Sequence, residues 1–167
     1  PCPISCRGGA SSSLGGYYSE RVTLKLTADV SPDKERVTII LHGGAYDRAS
    51  YALSLAVVAL ASGMEAHMLL TFEGLRRFTK GHLVDIGEET SPNVRANIER
   101  GLASGGIQSL EDQLAGAKKL GLKLYACPNA MAALNIGLSD LLDEVDTVMG
   151  VATFLEFART TTINWYI

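Results

Sequence analysis

Cysteine is scarce in this chain: there are three in 167 residues, and Cys127 stands far from Cys2 and Cys6. An odd count so spaced does not make a disulfide scaffold and points to a reducing compartment, here expected to be the cytoplasm. Cys2 and Cys6 form a C-x3-C pair with no second Cys or His pair at zinc-site spacing, so no metal site is expected. Long apolar runs are missing too. The longest, Leu53 to Ala61 with Ser54 inside it, falls well short of the ~20 residues of a membrane-spanning helix. The first 16 residues hold no apolar stretch of the signal-peptide kind. Basic clusters do not exceed adjacent pairs, and 15 basic against 18 acidic side chains leave a net charge of −3, which argues against a nucleic-acid partner.

What remains is 47% apolar and 20% charged, the composition of an ordinary globular domain with one core. Residues 1–35 are rich in Gly, Ser and Pro near their start and read as a flexible tail or linker. Val22, Leu24 and Leu26 alternate there like an edge strand. From residue 36 onward the pattern changes. Val37 to Leu41, Met68 to Phe72, Leu122 to Ala126, Val145 to Met149 and Ile163 to Ile167 are short β-rich apolar runs. Helical segments separate them: Asp47 to Ser62, a longer one capped by Ser109 and stopped by Gly121, and Ala152 to Ala158. Between Glu73 and Gln108 the chain reads as irregular, with a short helix begun by Ser91-Pro92, and Ser139 reads as the cap of a short turn. Such alternation predicts residues 36–167 as one three-layer α/β/α domain around a mostly parallel five-stranded sheet of Rossmann-like topology.

In an open parallel sheet, sites gather at the carboxyl ends of the strands. Three such ends carry chemistry: His42-Gly43-Gly44, Thr71-Phe72-Glu73, and Cys127. Cys127 follows an apolar strand and precedes Pro128, a residue suited to the first turn of a helix. A sulfur there would face free backbone N–H groups, with the amides near Ala130 and Met131 as its contacts, and at least partial accessibility is expected. Arg76, Arg77 and Lys80 could hold an anionic sulfur compound or a carrier protein, although a solvated loop face accounts for them as well. His67 and His82 complete no constellation that spacing reveals.

Two runs carry a family resemblance. Gly63-Met64-Glu65 through Phe72-Glu73-Gly74-Leu75 resembles the G-M-E…F-T-F-W-G-L segment of DsrE-type proteins. Tyr125-Ala126-Cys127-Pro128-Asn129-Ala130-Met131 is similar to that family's strand-end cysteine and Met-containing helix. With Gly137 to Val145 and Gly150 to Leu155, the resemblance to the DsrE/DsrF-like family, in its "peroxiredoxin-like" subgroup, spans roughly residues 37 to 167. Glu73 stands where the subgroup has an aromatic residue, which would make the pocket beside the cysteine more anionic. Asn135 stands where a Gly often ends the helix. The resemblance implies a five-stranded α/β/α fold and a homo-oligomer, with a trimer expected. It further implies a sulfurtransferase-like relay of sulfane sulfur as a persulfide on Cys127, passed between donor and acceptor proteins. No metal or organic cofactor is called for, and nothing resembles a peroxidase site. His42, Gly43, Gly44, Thr71, Phe72, Glu73, Asn129, Ala130 and Met131 would line a ligand site beside Cys127. The competing expectation is a non-catalytic module of the same fold that binds a small ligand or a partner.

Overall fold

A computed structural model describes residues 34–167. The expected tail, its edge strand, Cys2 and Cys6 lie outside the described residues, save for residues 34 and 35. Five strands, β1 (Arg36–Leu41), β2 (Glu65–Leu70), β3 (Lys123–Ala126), β4 (Thr147–Val148) and β5 (Ile163–Tyr166), form one sheet in the order β4-β3-β2-β1-β5. Every pairing is parallel. Six helices connect them: α1 (Tyr46–Ala61), α2 (Phe72–Arg77), α3 (Pro92–Ala103), α4 (Leu110–Leu120), α5 (Pro128–Leu134) and α6 (Val151–Ala158). The fold is α/β, as the alternation of runs predicts.

Local chemistry explains the boundaries. Ser109 caps α4 by accepting a hydrogen bond from Asp112 N at 3.1 Å, and Gly121 ends that helix at φ 104°, a conformation glycine adopts without steric penalty. Asn135 closes α5 in the left-handed region at φ 52°, where its short polar side chain is tolerated. Ser91 precedes α3 with Pro92 at its first position, and the short helix expected there runs twelve residues. Ser139 does not act as a cap. It sits inside a 3-10 turn, Leu138–Asp140, whose start is fixed instead by Gly137 N donating to the Asp140 carboxylate at 2.7 Å.

The order of strands decides the layers. The chain moves from β1 to β2, β3 and β4 in one direction, then returns across the sheet to β5. With right-handed crossovers, which parallel units almost always make, α1 and α4 cover one face and α6 the other. Accordingly α1 packs on α4. Strand alternation places Val37, Ile39, Leu41, Ala66, Met68, Leu70, Leu124 and Ala126 together on the first face, all essentially fully buried. The second face carries Arg36, Thr38, His67 and Tyr125 and is covered by the single short helix α6, through Phe154 and Phe157. Among the described residues no helix is long and apolar enough to cross a membrane.

Candidate functional site

The carboxyl ends of β1, β2 and β3 lie side by side. At β1, His42 N and Gly43 N donate to the Ile167 carbonyl oxygen at 2.7 and 3.3 Å. Gly44 is pinned twice: its N–H donates to Glu89 Oε2 at 2.8 Å, and its carbonyl accepts from Arg77 Nε at 2.8 Å. A Cβ on Gly44 would sit 2.7 Å from the Glu73 carbonyl oxygen and 2.9 Å from Glu89 Oε2. The close approach that glycine permits here is therefore to the chain's own loop.

At β2 the strand stops at Leu70, two residues before the expected end. Thr71 N donates to the Leu41 carbonyl at 3.0 Å, and Phe72 turns into α2 at φ 46°. For an aromatic residue that left-handed conformation costs about 1–2 kcal/mol. Phe72 is nonetheless 44% exposed, with its ring centroid 5.2 Å from that of His42. Tyr166 at the end of β5 lies 5.9 Å from His42 on its other side and is 70% exposed. The three rings make an aromatic strip along the carboxyl edge. Glu73 pairs with Arg76 at 3.4 Å, so its charge is largely balanced.

At β3, Cys127 precedes α5 as its cap residue. Its N–H donates to the Leu70 carbonyl at 3.0 Å, fixing it beside the Thr71-Phe72 turn, and its carbonyl accepts from Met131 N at 3.0 Å. The Met131 amide is thus already used, against the expectation that it would contact the sulfur. Neither is the expected partial accessibility found. Cys127 is 1% exposed and belongs to the apolar core, because α2 and α5 pack on one another over this end of the sheet. Ala130 is buried, Met131 half-buried, and Asn129 exposed. His42 and Cys127 are not brought together. With β2 between their strands, two spacings of about 4.8 Å separate them, too far for a direct proton transfer.

Residues 90–166, from just before α3 to the end of β5, match the DsrE/DsrF/DrsH-like family. That stretch is DsrE-like. An uncharacterised protein of Bacillus subtilis (strain 168), YrkE, is 26% identical, over 80% of this chain and 97% of its own length. Among solved structures, the YchN protein of E. coli superposes with a TM-score of 0.58 at 12% identity, over 80% of this chain and 99% of the other. MTH1491 of Methanobacterium thermoautotrophicum, a protein of unknown function, gives a TM-score of 0.51 at 14% identity, over 79% and 99%. At these identities the two structures show the fold.

The sheet also holds a polar cluster that sequence spacing did not reveal. Parallel register aligns Arg36 with Glu65, and His67 with Lys123, on the face under α6. Arg36 Nε lies 2.9 Å from Glu65 Oε2, with its guanidinium 5.3 Å from the Phe157 ring centroid. His67 Nδ1 shares a 2.9 Å hydrogen bond with the Tyr125 hydroxyl, its ring meets Phe157 edge-on, and its Nε2 is buried without a hydrogen-bond partner. Burial lowers the His67 pKa to about 4, against the opposing pull of Glu65, while Arg36 lowers it further. The 3.7 Å contact between His67 and Glu65 is therefore not an ion pair near neutral pH. Burial likewise pushes the Tyr125 hydroxyl up to about 12. The i, i+2 pair Glu65 and His67 was the available signal, since such spacing puts both on one strand face.

Arg77 also departs from its expected role. It is buried, and its guanidinium donates to the carbonyls of Gly44, His82, Asp85 and Ile86, stitching the 79–90 loop to the β1–α1 turn. It is not free to hold an anion. Arg76 and Lys80 remain exposed. Among the described residues no group of three or more His, Cys, Asp and Glu is arranged to hold a metal ion.

Proposed function

We propose that this DsrE-like chain relays sulfane sulfur, with Cys127 as the carrier. The reading rests on one juxtaposition: a cysteine at the carboxyl end of β3, held against the Thr71-Phe72 turn of β2 in a sheet of this family. In the loading step the Cys127 thiolate attacks the outer sulfur of a donor persulfide. A new S–S bond forms at Cys127, the donor's S–S bond breaks, and the donor leaves as a thiolate. Unloading is the same exchange with an acceptor thiolate, so no net oxidation and no cofactor are involved.

A thiol 1% exposed must be uncovered before it can react. The element suited to move is the strained turn at Phe72, which already pays for a left-handed backbone and has its ring in solvent. Donor and acceptor proteins would engage this edge. A homo-oligomer, with a trimer expected, belongs to the same proposal: Val151 and Leu155 of α6 are 39% and 50% exposed on the thinly covered second face. A cytoplasmic setting would keep the carrier thiol reduced.

Burial of Cys127 favours a second reading, a non-catalytic module that binds its ligand on the His42, Phe72 and Tyr166 strip. One experiment separates the two. Wild type and Cys127→Ser are incubated with a low-molecular-weight persulfide and their intact masses compared. The relay reading requires wild type to gain one sulfur atom on Cys127 and the variant none at that position. Sulfur on Cys2 or Cys6 alone, or a native Cys127 that stays inert while the urea-unfolded chain reacts fully, would overturn it and leave the binding module.

A further inference from the structure

A groove of about 400 Å³ lies away from Cys127, between the loop after α2, the first turns of α4 and the segment before β4. Leu83, Leu114 and Leu142 supply an apolar floor, and Val84 beside them is 60% exposed. Its other walls are acidic, formed by Glu111 and Asp112 on α4 and Glu144 opposite, with Asp143 next in sequence and 96% exposed. Asp112 is tied to the Ser109 cap at 2.9 Å. Among the described residues, Glu111, Asp112 and Glu144 meet no Lys or Arg at ion-pair distance, and Asp143 meets Lys80 at 3.8 Å. Four carboxylates against one ammonium leave the rim about three charges negative beside the exposed Val84.

We infer that this groove is a docking site for a basic, amphipathic segment of another protein, with Lys or Arg side chains on the rim and an apolar side chain on the leucine floor. Charge complementarity selects the occupant. A cation held at the rim of an apolar floor is only partly screened, whereas an acidic segment would meet like charges on both sides. The exposed Val84 beside the floor supplies the anchor and the rim supplies the selection. The groove adjoins the end of α4 nearest the carboxyl edge, where Leu110 N donates to the Tyr46 hydroxyl at 3.2 Å, so a seated partner would approach the same end of the sheet as Cys127. The inference stands on the groove alone and does not require that Cys127 carry sulfur.

The test uses the full chain, 15N-labelled, titrated with a synthetic Lys/Leu amphipathic peptide and with its Glu/Leu counterpart. Amide shifts should fall on 81–84, 111–115 and 142–144 with the basic peptide only. Affinity should drop at least tenfold in Glu111→Lys/Glu144→Lys, and weaken with salt. Lys at position 111 opposes the α4 dipole, so Glu144→Lys alone, outside any helix, is measured in parallel and should lose part of the affinity. Shifts elsewhere, equal binding of the acidic peptide, or unchanged binding by both variants would overturn the inference. So would sedimentation showing that wild type self-associates through this groove and that the double variant does not.

Discussion

Lowering the pH should loosen this fold through one residue on the face under α6. His67 is neutral in the folded chain because its side chain is only 12% exposed and burial holds its pKa at about 4, against 6.5 for an ordinary histidine. A base whose folded pKa is depressed binds protons more readily when unfolded. Its contribution is therefore whole above pH 6.5 and is lost as the pH falls from 6.5 toward 4. At 1.36 kcal/mol per pH unit, the gap amounts to about 3 kcal/mol, a large share of a typical domain stability of ~5–15 kcal/mol. Denaturant unfolding of wild type and His67→Gln at steps from pH 7.5 to 4 reads this directly, because carboxylate titrations occur in both chains and cancel in the comparison. Wild type should lose about 3 kcal/mol more than the variant over that range. If the two chains lose stability in parallel, or if the His67 ring titrates by NMR with a midpoint near 6.5, the burial argument is refuted.

Other positions make equally definite claims. Gly74→Ala should destabilise by about 2–3 kcal/mol in denaturant melts, since the added Cβ would collide with the Leu41 carbonyl oxygen on a strand that cannot retreat. Arg77→Met should leave the sheet intact but raise hydrogen exchange across residues 82–90, because the carbonyls of His82, Asp85 and Ile86 lose a shared donor. Phe72→Gly should leave stability within about 1 kcal/mol of wild type, because relief of the left-handed backbone is offset by the freedom glycine adds to the unfolded chain and by loss of the ring's packing on His42, and in mass-spectrometric alkylation it should react faster at Cys127.

The sheet was readable because its strands are short apolar runs, buried on one or both faces and separated by helical segments. Their observed ends lie within three residues of the expected ones, the largest shift being the start of β2 at Glu65. α2 was not readable. Phe72-Glu73-Gly74-Leu75-Arg76-Arg77 contains a glycine and no full helical period, and the helix starts from a left-handed Phe72 that no propensity favours. Missing α2 is also why the burial of Cys127 was not anticipated. The sequence marks the strand end and the proline behind it, whereas accessibility depends on α2 and α5 meeting above it. Arg77 misleads for a related reason: a pair of adjacent arginines resembles a surface patch, yet one turn of helix sends Arg76 outward and Arg77 into the loop's carbonyls. The DsrE-like resemblance, by contrast, was carried by short runs that the sequence displays openly.

The neighbour of β1 on its outer side is β5, and the pairing joins residues 126 positions apart, as between Thr38 and Asn164. On a ribosome adding roughly 5–20 residues per second, β1 would wait at least several seconds for that partner. Throughout the wait the edge of Val37-Thr38-Ile39-Ile40-Leu41 carries unpaired amides and carbonyls, on a segment with no proline and with Arg36 as the one charge of its strand. Nascent copies on one message would thus present matching sticky edges to each other. In the finished molecule β5 covers that edge, so the exposure belongs to synthesis alone.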